Sequence, residues 1–93
     1  MPRPRRLRRI TFHPTSTLFK PQGIPTHDLE TVTLSCEETE ALRLKDLEGL
    51  DQTACAERMR ISQSTFQRTL SGARAKVSQA IISGKALRIR DGD

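Results

Sequence analysis

Gln63, Ser64, Gln67 and Arg68 are the side chains in this 93-residue chain whose types and spacing best suit a defined chemistry. On a helix, residues at i, i+1, i+4 and i+5 fall on one side. Glutamine can pair in a bidentate way with adenine, and arginine with guanine, on the major-groove edges of base pairs. The residues around them suit phosphate. Ser62 can cap a helix, and the free N–H groups beside it make an anion site. Arg58, Arg60, Thr65 and Arg74 are candidates for contacts to a DNA backbone. Arg3, Arg5 and Arg6 are further candidates, because an extended basic arm can lie in a minor groove. The same side chains also fit an ordinary helical hairpin with a solvated polar face and a solvated tail.

Other chemistries find less support. His13, His27, Cys36 and Cys55 contain no compact ligand pair of the kind zinc sites use, so no metal is expected. Cys36, at the start of a predicted helix, is a candidate reactive thiol. The chain has neither a glycine-rich phosphate loop nor paired carboxylates on a predicted pocket. Neither an enzyme nor a cofactor is expected.

The elements that must position these residues follow from local signals. Ser35 with Glu38 makes a capping box that opens a helix running to about Leu47. Ala41, Leu44 and Leu47 share its apolar face; Leu42 falls off that face and is assigned to packing against the N-terminal segment. Gly49 suits a left-handed helix end. Asp51 caps a second helix, from Gln52 to about Met59. Arg60-Ile61 is the turn, and its first position favours positive φ, which costs arginine about 1 kcal/mol. Ser62 caps a third helix carrying Phe66, Leu70, Ala73, Val77, Ala80 and Ile81 as an apolar stripe, with Ser83-Gly84 as its stop. Ala56 is small enough for the third helix to cross it closely, and Ile61 can fill the wedge between the two. This is the helix-turn-helix pattern. Gly72, in mid-helix, should weaken the third helix by about 1 kcal/mol relative to alanine.

Short strands are weaker signals. Thr31 to Leu34 alternates, as does Ala86 to Arg90, and the latter is expected to pair with Thr31–Leu34 or with Ile10-Thr11-Phe12. His13 to Asp28 reads as loop, with a turn at Lys20-Pro21-Gln22-Gly23. The domain organisation expected is a basic arm and loop segment over 1–34, the helix-turn-helix over 35–84, and a tail with a candidate strand over 85–93.

Composition narrows the partners. Sixteen lysines and arginines against eleven acids give a net charge of +5, and the sequence pI is about 10.0. The positive charge gathers before Pro21 and after Ile61, around an acidic middle, which suits a polyanion such as double-stranded DNA. Solubilising charge alone is the plainer explanation. Two cysteines without a C-x-x-C pair fit a reducing cytoplasm. No apolar run is long enough for a membrane span.

Several longer stretches carry a family likeness: FKPQGIP (Phe19 to Pro25), EALRLKDLEGLDQ (Glu40 to Gln52), AERMRISQSTFQRTLSGARAKV (Ala56 to Val77) and GKALRI (Gly84 to Ile89), with the PRPRRLRRI start. In these the chain resembles the prokaryotic family known as domain of unknown function 134, or uncharacterised protein family 0251. The resemblance implies a helical part like region 4 of sigma factors, and sequence-specific DNA binding through Gln63, Ser64, Gln67 and Arg68. It also implies that some longer members carry a C-terminal domain similar to iron–molybdenum cofactor-binding proteins, which this sequence to Asp93 is expected to lack. Arg60 departs from the family pattern, where glycine is usual, as do Cys36, where an acid is frequent, and Cys55, where alanine is frequent.

The expectation is a mainly α fold: a small helix-turn-helix bundle with a long third helix, a basic arm and minor β strands. Its function is expected to be sequence-specific binding of double-stranded DNA in transcription regulation. The alternative is an interaction module for RNA polymerase or another protein. Homodimer formation is left open.

Overall fold

Each helix starts where a short polar side chain can satisfy a free backbone N–H. In the computed structural model, which describes residues 14–90, α1 spans Cys36–Leu42 and runs on as a π-helical turn over Arg43–Leu47. Helix α2 spans Gln52–Met59 and α3 spans Gln63–Ser83. The Glu38 N–H donates to Ser35 Oγ at 3.1 Å and the Ser35 N–H to Glu38 Oε1 at 2.9 Å, completing the expected capping box. Asp51 Oδ1 accepts from the Ala54 N–H at 2.8 Å, and Ser62 Oγ from the Thr65 N–H at 3.1 Å.

The helices also end alike. A residue with positive φ follows each: Gly49 at 78°, Arg60 at 59° and Gly84 at 67°. After α2 and α3 a backbone bond reaches back five residues, from Ile61 to Ala56 at 3.1 Å and from Lys85 to Ala80 at 2.9 Å, as in a Schellman closure. After the π turn the equivalent bond, Leu50 to Leu44 at 3.1 Å, reaches one residue further. That extra residue corrects one expectation. Leu47 does not share the face of Ala41 and Leu44; it is 79% exposed, because a π turn rotates every later side chain away from the α-helical face. Leu42 also differs, since it packs against the core.

Ala41, Leu44, Cys55, Ala56, Met59, Phe66 and Leu70 form that core, with Leu50 and Ile61 packed on its margin. The small side chains of Cys55 and Ala56 let α3 approach α2, and Phe66 fills the space between all three helices. The α3 stripe holds from Phe66 through Ala80, but Ile81 breaks it and is 71% exposed. Past Ala73 the layer under α3 is no longer helical, and the helix turns Ala80 rather than Ile81 inward.

That second layer is a three-stranded sheet in the order β1-β3-β2. Its strands are β1 (Leu18–Phe19), β2 (Thr31–Leu34) and β3 (Ala86–Ile89). The central strand β3 runs parallel to β2, pairing Val32 with Leu87 and Leu34 with Ile89. It runs antiparallel to β1, pairing Phe19 with Leu87. The expected strand over 86–90 thus takes Thr31–Leu34 as its partner; the other expected partner, Ile10-Thr11-Phe12, lies outside the described residues. β1 was expected to be loop, and so was Thr26–Asp28, a single 3-10 turn.

Ion pairs fasten the layers. Lys76 Nζ, on α3, donates to Glu38 Oε1 at 2.9 Å and to the Thr33 carbonyl at 3.0 Å, joining helix, helix and strand. Gly72 explains itself here. A Cβ on it would lie 3.3 Å from Glu38 Oε2, so the glycine lets the start of α1 close on α3.

Candidate nucleic-acid interface

The exposed end of the α2–turn–α3 unit begins with two helix N-termini drawn together. Gln52 Nε2, at the first position of α2, donates to the Gln63 carbonyl at the first position of α3 at 3.3 Å. Both positive helix ends therefore lie on one side of the molecule. In the sequence Gln52 serves only to begin a helix; the signal was a long amide at that first position.

From this end α3 presents Gln63, Ser64, Gln67 and Arg68, all exposed, while Phe66 and Leu70 of the same turns are buried. Ser62 Oγ lies 3.2 Å from Ser64 Oγ and donates to Thr65 Oγ1 at 2.9 Å. The hydroxyls of the first turn are thus held in a fixed set, and the N–H groups of Gln63 and Ser64 remain ahead of the helical ladder.

Arg58 and Arg60 flank this surface from the end of α2 and the turn. They line a shallow groove of about 360 Å³ with Ala54 and Glu57. Among the described residues, no hydrogen bond or ion pair engages the side chains of Arg58, Arg60, Arg68, Gln63 or Gln67. Among the other described cations, Arg43 pairs with Glu40 and Glu48, Arg74 with Asp46, Lys76 with Glu38 and Lys85 with Glu30, and Lys20 donates to the Ile24 carbonyl, while Lys45, Arg88 and Arg90 are likewise without an ion pair or side-chain hydrogen bond. Of the free cations, Arg58, Arg60 and Arg68 belong to the α2–turn–α3 unit.

Arg74, expected as a backbone contact, is engaged within the fold. Its guanidinium donates to both carboxylate oxygens of Asp46, at 3.0 and 2.6 Å, and these bonds hold the Asp46 carboxyl below the usual aspartate range. It also lies about 16 Å along α3 from Gln63 at the helical rise. Arg3, Arg5 and Arg6 lie outside the described residues.

The thiols stand apart. Cys55 is fully buried, and burial pushes its thiol pKa up. Cys36 Sγ donates to the Arg90 carbonyl at 3.2 Å, joining the start of α1 to the end of β3. Among the described residues no three His, Cys, Asp or Glu side chains gather as metal ligands would. Nor, among them, is any helix long and apolar enough to cross a membrane.

Fold and site together define a small, mainly helical domain with a helix-turn-helix-like unit whose exposed end is polar and basic. Comparison with known proteins gives the family. The model described as "Protein of unknown function DUF134" matches residues 1–93, and the chain belongs to that family. It is 59% identical over 93 residues to a UPF0251 protein of Desulforudis audaxviator, covering 100% of this chain and 61% of that protein. It is 55% identical over 93 residues to a UPF0251 protein of Halothermothrix orenii, covering 100% and 69%. A UPF0251 protein of Moorella thermoacetica is 52% identical over 92 residues, covering 99% and 62%. The chain thus spans less than two thirds of the Desulforudis and Moorella relatives. No solved structure matches it.

Proposed function

We propose that this domain binds double-stranded DNA sequence-specifically and acts in transcription regulation. Gln63, Ser64, Gln67 and Arg68 would read base edges, while Arg58, Arg60, Ser62 and Thr65 hold the backbone. The observation that carries this reading is the cluster of unpartnered side chains formed by Gln63, Gln67 and Arg68 on the first turns of α3 with Arg58 and Arg60 from the end of α2 and the turn. Amides and guanidinia left without partners suit base edges and phosphates better than they suit packing.

Selection from a random DNA pool, followed by titration against salt, tests the proposal. Affinity should fall steeply with salt, because phosphate contacts release counterions. Changing both Gln63 and Gln67 to alanine should erase the selected preference, at about 1–3 kcal/mol for each base no longer read, and leave non-specific binding largely intact. A double variant that still selects the parent sequence would place the reading surface elsewhere. A protein-binding adaptor would show no selected DNA at all and would ignore both substitutions.

Arg60 gives a second test. Glycine there relieves the left-handed strain, so Arg60→Gly should stabilise the fold by about 1 kcal/mol in urea unfolding. The same change should weaken DNA binding across all sequences and reduce the slope of log affinity against log salt by about 1. Unchanged DNA affinity in Arg60→Gly would remove Arg60 from the backbone contacts.

A further inference from the structure

Gln63 begins α3 ahead of Phe66, the first α3 side chain that is buried. The core therefore seats α3 from Phe66 onward, and the turn that carries Gln63 and Ser64 must be held by other means. One is the backbone, which leaves α2 through Arg60 at a left-handed φ of 59°. The other is a side chain from the far end of α2. Gln52 Nε2 donates to the Gln63 carbonyl at 3.3 Å. Gln52 begins α2 and Gln63 begins α3, so α2, the turn and this bond close a ring. The first turn of α3 cannot rock against α2 without breaking it. The helix start itself does not call for an amide at this position, because Asp51 already caps α2 by accepting from the Ala54 N–H at 2.8 Å.

We infer that Gln52 is a positioning residue for base recognition: it fixes the first turn of α3 so that the Gln63 amide meets its base pair in register. This role rests on α3 being the DNA-reading helix proposed above. A glutamine that reads adenine makes two hydrogen bonds at once. Such a group works only when held within about 0.5 Å and about 10–20° of its productive geometry. Gln63 reaches out through a flexible side chain, so any movement of its backbone is enlarged at the amide. A carbonyl oxygen has two lone pairs. The Gln63 carbonyl can therefore take the Gln52 donor beside the helical bond from the Gln67 N–H, and the anchor leaves the α3 ladder intact.

Gln52→Met keeps the length and neutrality of the side chain and removes the donor. Without DNA, amide hydrogen exchange reads the anchor. The Phe66 N–H, which donates to the Ser62 carbonyl, and the Gln67 N–H should exchange roughly two- to tenfold faster in the variant. Leu70 and Ala73 should keep the parent rates. With DNA selected by the parent, the position read by Gln63 is the one whose preference Gln63→Ala removes. There Gln52→Met should lower the affinity ratio of the selected base to the others at least about fivefold, with non-specific affinity unchanged. In the Gln63→Ala background the same change should have no further effect, because the side chain it aims is gone. Gln52→Lys, which restores a donor of sufficient reach, should recover the preference. Unchanged exchange at Phe66 and Gln67 overturns the inference without reference to DNA. So does a Gln52→Met variant that keeps the parent preference. So does one that loses affinity equally for every sequence, with or without Gln63, which would make Gln52 a backbone contact. A parent that selects no DNA overturns the reading of α3 and this role together, a result distinct from the other three.

Discussion

Phe66→Ala should cost about 3–5 kcal/mol of stability and leave much of the population unfolded near physiological temperature. Phe66 has no exposed surface and heads the largest fully buried side chains. It touches the cluster that all three helices build, so its removal opens a cavity that no single element can collapse into. A domain of this size has about 5–15 kcal/mol in total, and each kcal/mol moves the midpoint of a 60–100-residue domain by about 4–8 °C. Thermal and urea unfolding should therefore show a fall of well over 10 °C. The neighbouring Gln67→Ala should change stability by less than about 0.5 kcal/mol, because Gln67 is exposed. A loss below 1 kcal/mol in Phe66→Ala would mean that α3 is not seated on this core. The pair of variants separates the inward face of α3, which holds the fold, from the outward face, to which the proposed function is assigned.

Much of that division was legible in the sequence because its causes are local. Ser35, Asp51 and Ser62 announce helix starts through side-chain chemistry that acts within three residues. The turn after α2 was legible for the same reason, and Arg60 does take the left-handed conformation that the pattern demands, at φ 59°. The misplaced residues have non-local causes. Leu47 leaves the shared face through a π turn, and nothing in the spacing of Ala41, Leu44 and Leu47 distinguishes a π turn from an α turn. Ile81 continues the stripe by spacing from Val77, but the stripe's burial depends on what lies beneath α3, and there the neighbour changes from helix to sheet. β1 is two residues long and exists only through its pairing with β3, a contact across most of the chain that leaves no local signal.

The candidate site divides in the same way. Which α3 side chains point outward was readable from the periodicity that buries Phe66 and Leu70. Which cations stay free was not, because partnering depends on acids far away in sequence. Arg74 and Arg68 look alike in the chain, yet Asp46, twenty-eight residues before Arg74, claims one of them. The join between Gln52 and Gln63 is equally silent in the sequence, since either amide could serve a solvated helix start.

The single buried acid among the described residues carries the other large effect. Glu40 is 3% exposed and accepts from Arg43 Nε at 3.2 Å and from Arg43 Nη2 at 3.0 Å. The same guanidinium donates to Glu48 at 2.8 Å, so it bridges the end of α1 to the end of the π turn. Hydrogen bonding to Glu40 raises the Arg43 pKa, while burial pulls the other way. Glu40→Ala removes the carboxylate and leaves that cation in a site 16% exposed. Removing one partner of a buried pair costs about 3–5 kcal/mol, and the retained contact to Glu48 puts this case near the lower figure. The cost is the penalty on the abandoned charge, not the worth of the pair. Replacing both residues by leucine should therefore cost less than Glu40→Ala alone. The coupling in a double-mutant cycle should reach about 1–3 kcal/mol. Urea unfolding of Glu40→Leu, Arg43→Leu and the double variant measures it. Strict additivity would show that the two side chains act separately and that other packing holds the π turn in place. Coupling of the expected size makes the pair a clamp on the π turn, whose Leu44 is buried in the same core cluster as Phe66.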